Sequence, residues 1–388
     1  MSVGIDEISF YTSNYFLDLK TLAEVQQIDA DKYYHGIGQE KMGMPAPDED
    51  VVTMAANAAL PLVERVGVDS IGTVMFATET GIDQSKSAGV YVHRLLGLNS
   101  NCRVVELKQA CYSATAAVQM ACALVARQPE KKVLVVASDV ARYDLGTPGE
   151  ATQGCGAVAM LITANPRLVE LDPEVGNYTE DVMDFWRPNY RSTALVDGKY
   201  STKIYLKSLK LAWENFREVS SLAFSDFQHF CYHLPFTRMA QKAHKHLAKL
   251  NKSDLSPEML DGQVEDTLLY NRIIGNSYTA SMYIGLVSLL ENCKQNLAGK
   301  RVGFFSYGSG CVAEFFSGRV VAGYEKYLHR EMHQAMLDAR SLVSYDEYLK
   351  LYNDVDPVDG GVHEKSLGAT GRFRLAGISH HKREYIAC

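Results

Sequence analysis

A cysteine, a glutamate and a histidine, each set where a predicted strand runs out, are the residues of this chain whose types and surroundings fit acyl-transfer chemistry. Cys111 follows the strand-like CRVVELKQ and opens ACYSATAAVQMACALVA, whose small side chains predict a helix buried on all sides. At a helix N-terminus the free backbone N–H groups and the positive end of the dipole favour a thiolate, the form that attacks carbonyls. Glu79 follows the strand-like IGTVMFAT at the rim of a sheet, where partial burial raises a carboxyl toward the range of a general base. His233 closes the strand-like QHFCYH, and Pro235 then opens a helix with its φ already set. In that helix Arg238, Lys242, Lys245 and Lys249 recur at spacings of three and four, a basic face that starts next to the histidine and suits phosphates.

Two further groups complete the set. Asn276, in IIGNSYTASMY, precedes a small-residue helix and has an amide able to orient a substrate. The run FFSYGSG sets Tyr307, Gly308, Ser309 and Gly310 in a tight turn between strands, where bare N–H groups approach a carbonyl oxygen closely. Such a turn supplies half of an oxyanion hole, with the Cys111 N–H as the other half. Taken singly, each feature is open to a structural reading: a buried cysteine, a solvated strand-end glutamate, a core histidine, a capping asparagine, a solvated basic stripe, an ordinary glycine turn.

The elements that must position these residues are those of a mixed α/β protein. Apolar runs rich in Val, Ile and Phe predict strands at Ile71 to Thr78, Cys102 to Lys108, Lys132 to Ser138, Ala157 to Ile162, Phe227 to His233 and Val302 to Ser306, separated by longer helix-like segments. Sites collect at the carboxyl ends of such strands. VLVVASDVARY then GCGAVAMLI echoes RVGFFSYGSG then CVAEFFSG, which hints at duplication. No Pro/Ser-rich linker intervenes, so the 388 residues read as one unit with two pseudo-equivalent halves, 1–165 carrying the glutamate and cysteine and 166–388 carrying the histidine and asparagine, followed within the second half by a charged C-terminal segment.

Composition narrows the partners. A formal charge of -7, with both signs interspersed, argues against nucleic acid, and no apolar stretch is long enough to cross a membrane. The N-terminus does not read as a signal peptide, and eight cysteines without a C-x-x-C pair point to free thiols in a reducing, cytoplasmic setting. Gly36-Ile37-Gly38 lacks the third glycine and the preceding strand of a dinucleotide fingerprint, and no P-loop or zinc spacing occurs, so chemistry without metal or cofactor is expected.

Glu79 after its strand, Cys111 in ELKQACYSAT, His233 in YHLPFTRMAQK, GNSYT and FSYGSG together resemble 3-hydroxy-3-methylglutaryl-CoA synthase of the thiolase superfamily, in its compact bacterial form. The resemblance extends through GIDEISFY, IDADKYYHGIGQ, RYDLGTPGEATQGCGAVAM and DFWRPNYRSTALVDGKYS, nearly the whole chain in order. It implies a thiolase-like five-layered α/β/α/β/α fold, usually a homodimer, and condensation of acetyl-CoA with acetoacetyl-CoA and water, a mevalonate-pathway step toward isoprenoids. It implies that Cys111 carries the acetyl group, that Glu79 removes a methyl proton, and that His233 and Asn276 hold the ketone. It further implies that Asp29, Ala30, Thr152, Ser201, Arg238, Lys242, Tyr307 and Ser309 line the substrate channel, with Lys242 near the CoA phosphates. Arg238 stands where animal relatives carry lysine, which keeps the charge but changes the hydrogen-bond geometry. The alternatives within the same superfamily are a polyketide β-branching synthase acting on carrier-protein-bound ketoacyl chains and a ketoacyl synthase III-like enzyme; outside catalysis, a binding protein keeps the fold alone.

Overall fold

The apolar runs become the strands of one hydrogen-bonded array in the computed structural model, which describes residues 1–388. Its nine strands are β1 (Val3–Tyr11), β2 (Ile71–Ala77), β3 (Arg103–Leu107), β4 (Lys132–Ala141), β5 (Gly154–Ala164), β6 (Val169–Thr179), β7 (His229–Tyr232), β8 (Arg301–Gly308) and β9 (Val312–Val320). Across the sheet they run β7-β8-β9-β6-β1-β5-β4-β2-β3. All six expected strands form, with ends shifted by a few residues. The join between β6 and β1 is slight, Gly4 opposite Glu170 and Ile5 opposite Val169. There a Cβ on Gly4 would lie 2.1 Å from the Val169 carbonyl oxygen, so only glycine permits the approach.

On either side of that join the same sequence of pairings occurs. β2 lies parallel to β4, which then pairs antiparallel with β5; β7 lies parallel to β8, which then pairs antiparallel with β9. This is the physical content of the echo between VLVVASDVARY and RVGFFSYGSG.

Strand alternation sorts the side chains into layers. The helices that form these layers are α1 (Val51–Val66), α2 (Ala88–Leu95), α3 (Ser113–Arg127), α4 (Gly198–Ser220), α5 (Thr237–Leu250) and α6 (Ser281–Asn292). Val74 and Phe76 of β2 pack outward with Val52, Ala55 and Val92 of α1 and α2. Met75 and Ala77 face inward, into a core shared with Ala117 and Val118 of α3, Ile284 and Leu286 of α6, and Phe304 of β8. Phe305 and Phe315, on the opposite faces of β8 and β9, pack against Leu209 and Trp213 of α4 and Leu247 of α5. The two halves of the sheet, folded about the slight β6–β1 join, thus enclose α3 and α6 and are covered outside by two helix pairs, the five layers expected.

Three local expectations need correction. Helix α3 starts at Ser113, two residues after Cys111, because the chain first turns through Ala110 at φ +42°. The helix is also open on one side, with Met120 half exposed. Helix α5 starts at Thr237 behind Phe236, so Pro235 belongs to the approach rather than the first turn. At the C-terminus, Arg330–Asp338 and Tyr345–Asn353 are helical and Phe373–Ser379 pairs with Lys382–Ala387. No helix is long and apolar enough to cross a membrane.

Candidate active site

Two of the sheet's rim positions meet in space. The Cys111 thiol donates to Oε2 of Glu79 at 3.2 Å. Glu79 is almost fully buried, and burial together with the neighbouring Asp139 pushes its carboxyl up to about 8, while Arg187 and the Cys111 thiol pull the other way. The expected shift toward a general base is present. The expected thiolate is not: burial, and then the negative charge of Glu79, hold the Cys111 thiol well above its ordinary value, and these outweigh any helix dipole because α3 begins two residues later. Sulfur and carboxylate therefore form a proton-sharing pair.

The backbone on which Glu79 sits is clamped by groups the sequence reading passed over. Asp139, at the end of β4, accepts from the Glu79 N–H at 2.9 Å, the Thr78 hydroxyl at 2.8 Å, and the N–H and hydroxyl of Thr80 at 2.9 and 2.6 Å. Its other oxygen takes the Thr279 N–H at 3.1 Å and the Thr279 hydroxyl. One buried carboxylate thus ties the base to the segment that follows Asn276. On the opposite side Arg187 donates to the Glu79 carbonyl. A carboxylate placed directly after the apolar run VLVVAS was the available signal for Asp139.

Asn276 and His233 reach the site through that same segment. Asn276 Oδ1 accepts from the Tyr278 N–H at 2.9 Å, and the Tyr278 ring packs with Tyr143 and Ala141 against Cys111. The Ser281 hydroxyl lies 3.0 Å from the Tyr278 carbonyl and 3.1 Å from Nδ1 of His233. Burial pushes His233 down to about 3, so it works as a neutral imidazole. Asn276 also caps locally, so its structural and orienting readings coexist.

The turn from β8 to β9 abuts the cysteine turn. Gln109 donates its amide to the Ser309 carbonyl at 3.3 Å, and a Cβ on Gly308 would lie 2.5 Å from the Gln109 carbonyl oxygen and 2.7 Å from the Tyr112 nitrogen. The close approach expected of this glycine is thus made to the nucleophile's own turn. Tyr307 donates to Asp184 at 2.6 Å, and Ser201 reaches the same carboxylate at 3.1 Å. The two therefore sit together, on a residue the sequence reading did not single out.

Asp29, Arg238 and Lys242 are exposed and Ala30 is half-buried, and the cleft at Arg238 is of mixed charge, with Asp18 and Glu40 beside Lys41 and Arg272. The Asp29 and Ala30 carbonyls accept from Lys32 and Tyr33 at the start of a helical turn over Lys32–Ile37, which the Thr237 hydroxyl joins to the first turn of α5. Arg238, exposed and paired with Gln241, borders a cleft with Tyr34, His35 and Lys41. Lys242 is exposed, and Lys245 is paired with Asp261 at 3.1 Å. The Thr152 carbonyl accepts from the Asn276 N–H at 3.3 Å.

Known proteins match this chain over nearly its whole length. Residues 1–167 match the family model for the hydroxymethylglutaryl-coenzyme A synthase N terminal region, and residues 169–255 and 244–358 match its C terminal counterpart. The chain is 41% identical over 386 residues to the hydroxymethylglutaryl-CoA synthase of Enterococcus faecalis, covering 99% of this chain and 100% of that one. It superimposes on a crystal structure of an HMG-CoA synthase complexed with CoA with a TM-score of 0.94 at 40% identity, both chains covered in full. A curacin-pathway HMG synthase in complex with acetyl donor-ACP superimposes with the same TM-score at 30% identity, again over both whole chains.

Proposed function

The chain belongs to the hydroxymethylglutaryl-CoA synthase family, and from that premise we propose how its own side chains convert acetyl-CoA, acetoacetyl-CoA and water into 3-hydroxy-3-methylglutaryl-CoA and CoA. The observation that carries the reading is the 3.2 Å contact between Cys111 and Glu79. The Cys111 sulfur adds to the acetyl carbonyl as its proton passes to Glu79, and the thiolate of CoA leaves with that proton. N–H groups of the Cys111 turn and the adjoining Ser309 turn stabilise the oxyanion.

Glu79, again ionised, removes a proton from the methyl of the acetyl-cysteine, which its thioester has acidified. The carbanion attacks the ketone of acetoacetyl-CoA, held by Asn276 and His233. The Ser281 hydroxyl, bonded to the Tyr278 carbonyl, stands 3.1 Å from Nδ1 and fixes the neutral His233 ring beside the ketone, and the alkoxide takes up the proton that Glu79 removed from the methyl to become the 3-hydroxyl. Water then cleaves the thioester to the carboxylate product. Each step uses side chains and water alone, and no metal or redox partner enters the balance.

Arg238, Lys242 and the turn after Asp29 and Ala30 form the outer end of the channel, where cations suit the phosphates of CoA. By the same reading Thr152, Ser201 and Tyr307 contact the substrate farther in. The halves 1–165 and 166–388 divide the work, the first supplying nucleophile and base and the second the ketone-binding groups. We infer a homodimer from the unpaired edge strand β3, on which Val105 is 41% exposed. Eight free thiols and CoA substrates suit the cytoplasm.

One experiment tests the reading. The protein receives acetyl-CoA with acetoacetyl-CoA in one vessel and a malonyl-loaded or ketoacyl-loaded carrier protein in others. Product in the first vessel, with an acetyl mass on Cys111, supports it. Product only with a carrier protein overturns the substrate assignment, and no acetyl mass at all overturns the chemistry.

A further inference from the structure

Between Asp184 and Asp197 the chain makes a loop whose base is closed by the Asp197 N–H on the Asp184 carbonyl at 3.1 Å, and by Phe185 and Trp186 pairing with Val196 and Leu195. Both flanks are anchored. Asp184 accepts from Tyr307, Ser201 and the Gly310 N–H, while Arg191 and Thr193 hold Asp144 at 2.7 and 2.6 Å. Arg187 is the first residue beyond this ladder, and Pro188 after it restricts its backbone to extended conformations. Its guanidinium, 15% exposed, bonds the Glu79 carbonyl and stands 3.9 Å from Oε1 of the Glu79 carboxylate.

We propose that Arg187 is a positioning residue for the base: it clamps Glu79 opposite Asp139 and supplies the positive charge that keeps the carboxylate available for proton abstraction. The proposal rests on the assignment of Glu79 as base. The groups facing Glu79 are Asp139 from β4, Cys111 from the turn before α3, and Arg187 from the loop, with Tyr143 and Tyr278 behind the sulfur. Arg187 is the only cation among them, set against the charge of Asp139. One nitrogen, Nη2, makes both contacts, and lysine would keep the charge while carrying it on a stem of different length and shape.

The test compares kcat, KM and the pH–rate profile of wild type, Arg187→Gln, Arg187→Lys and Glu79→Gln. Arg187→Gln is expected to lower kcat at neutral pH by at least about tenfold with KM nearly unchanged. Its rising pH limb should move upward by about one unit, because an opposite charge has gone. Arg187→Lys should return the limb toward the wild-type position while kcat stays reduced. A limb that stays put in Arg187→Gln, or the same kcat loss without displacement in both variants, overturns the proposal in favour of a merely structural contact. Should Arg187→Gln not fold by circular dichroism, Arg187→Met takes its place and is read by the same limb: an upward displacement supports the proposal, and an unmoved limb overturns it. Full activity in Glu79→Gln would bring down the base assignment and this proposal with it. An inactive Glu79→Gln beside an Arg187→Gln with wild-type profile would remove the Arg187 role alone.

Discussion

The sulfur of Cys111 and Oε2 of Glu79, 32 residues apart in sequence, stand 3.2 Å apart with the thiol hydrogen between them. A single carboxylate is thus placed to take two protons in turn, first from the thiol and later from the methyl of the bound acetyl group. The two duties differ in demand. Thiols give up a proton readily once an acyl group approaches, whereas a methyl beside a thioester does not. Glu79→Ala should therefore still accumulate acetyl-cysteine, seen as an added acetyl mass on intact protein, yet lose condensation by about a hundredfold or more. Wild-type condensation in this variant would contradict the assignment.

The ionisation of Glu79 also sets a pH dependence. With its carboxyl at about 8, the base is mostly protonated at neutral pH and becomes competent as the solution grows alkaline. The condensation rate at saturating acetoacetyl-CoA should climb through a limb near that value. His233, held down at about 3, remains neutral across the working range and adds no limb of its own. A rate flat from pH 6 to 9 would show that proton abstraction by Glu79 does not limit turnover.

Stability should respond with the opposite sign. Glu49 and Glu314 are pushed up to about 7 by burial and Glu79 to about 8, against an ordinary 4.5. Between those values the folded chain binds more protons than the unfolded one. The stabilisation is complete below about 4.5 and is lost as pH rises through about 7 to 8. Melting temperature should therefore fall by several degrees from pH 6 to 9, and less steeply in Glu79→Gln, which no longer has that carboxyl to ionise. Equal slopes in wild type and variant would mean that Glu79 is solvated well enough to ionise without penalty.

The residues legible in the sequence were those fixed by local pattern. IGTVMFAT had to be a strand, so Glu79 had to stand at its rim, and the duplicated strand–turn–strand runs foreshadowed the matched pairings around the β1–β6 join. What stayed hidden depends on contacts between distant segments. Asp139 shows only a carboxylate after an apolar run, and nothing near it reveals that Thr78, Thr80 and Thr279 converge on it. The protonation of Cys111 was misjudged for the same reason: its local setting suggested a helix dipole, while the dominant neighbour arrives from another strand. Asp184, Arg187 and Ser281 likewise acquire meaning only once the loop and α6 are folded against the site.

Gly308 offers a sharp test of the turn that carries the nucleophile. A methyl there would be driven to 2.5 Å from the Gln109 carbonyl oxygen and 2.7 Å from the Tyr112 nitrogen, backbone atoms on either side of Cys111 that cannot rotate away. Gly308→Ala should cost about 1–3 kcal/mol of stability as an overpacked core contact. The displaced Cys111 turn should also slow acetylation by a larger factor than any loss of folded protein explains. Gly262→Ala is the control, since no atom lies within 4 Å of its added methyl. The measurements are denaturation midpoints and the initial rate of acetyl-cysteine formation in each variant. If Gly308→Ala acetylates at the wild-type rate, the turn yields without moving the sulfur, and the packing of FSYGSG against Cys111 is not what holds the nucleophile in place.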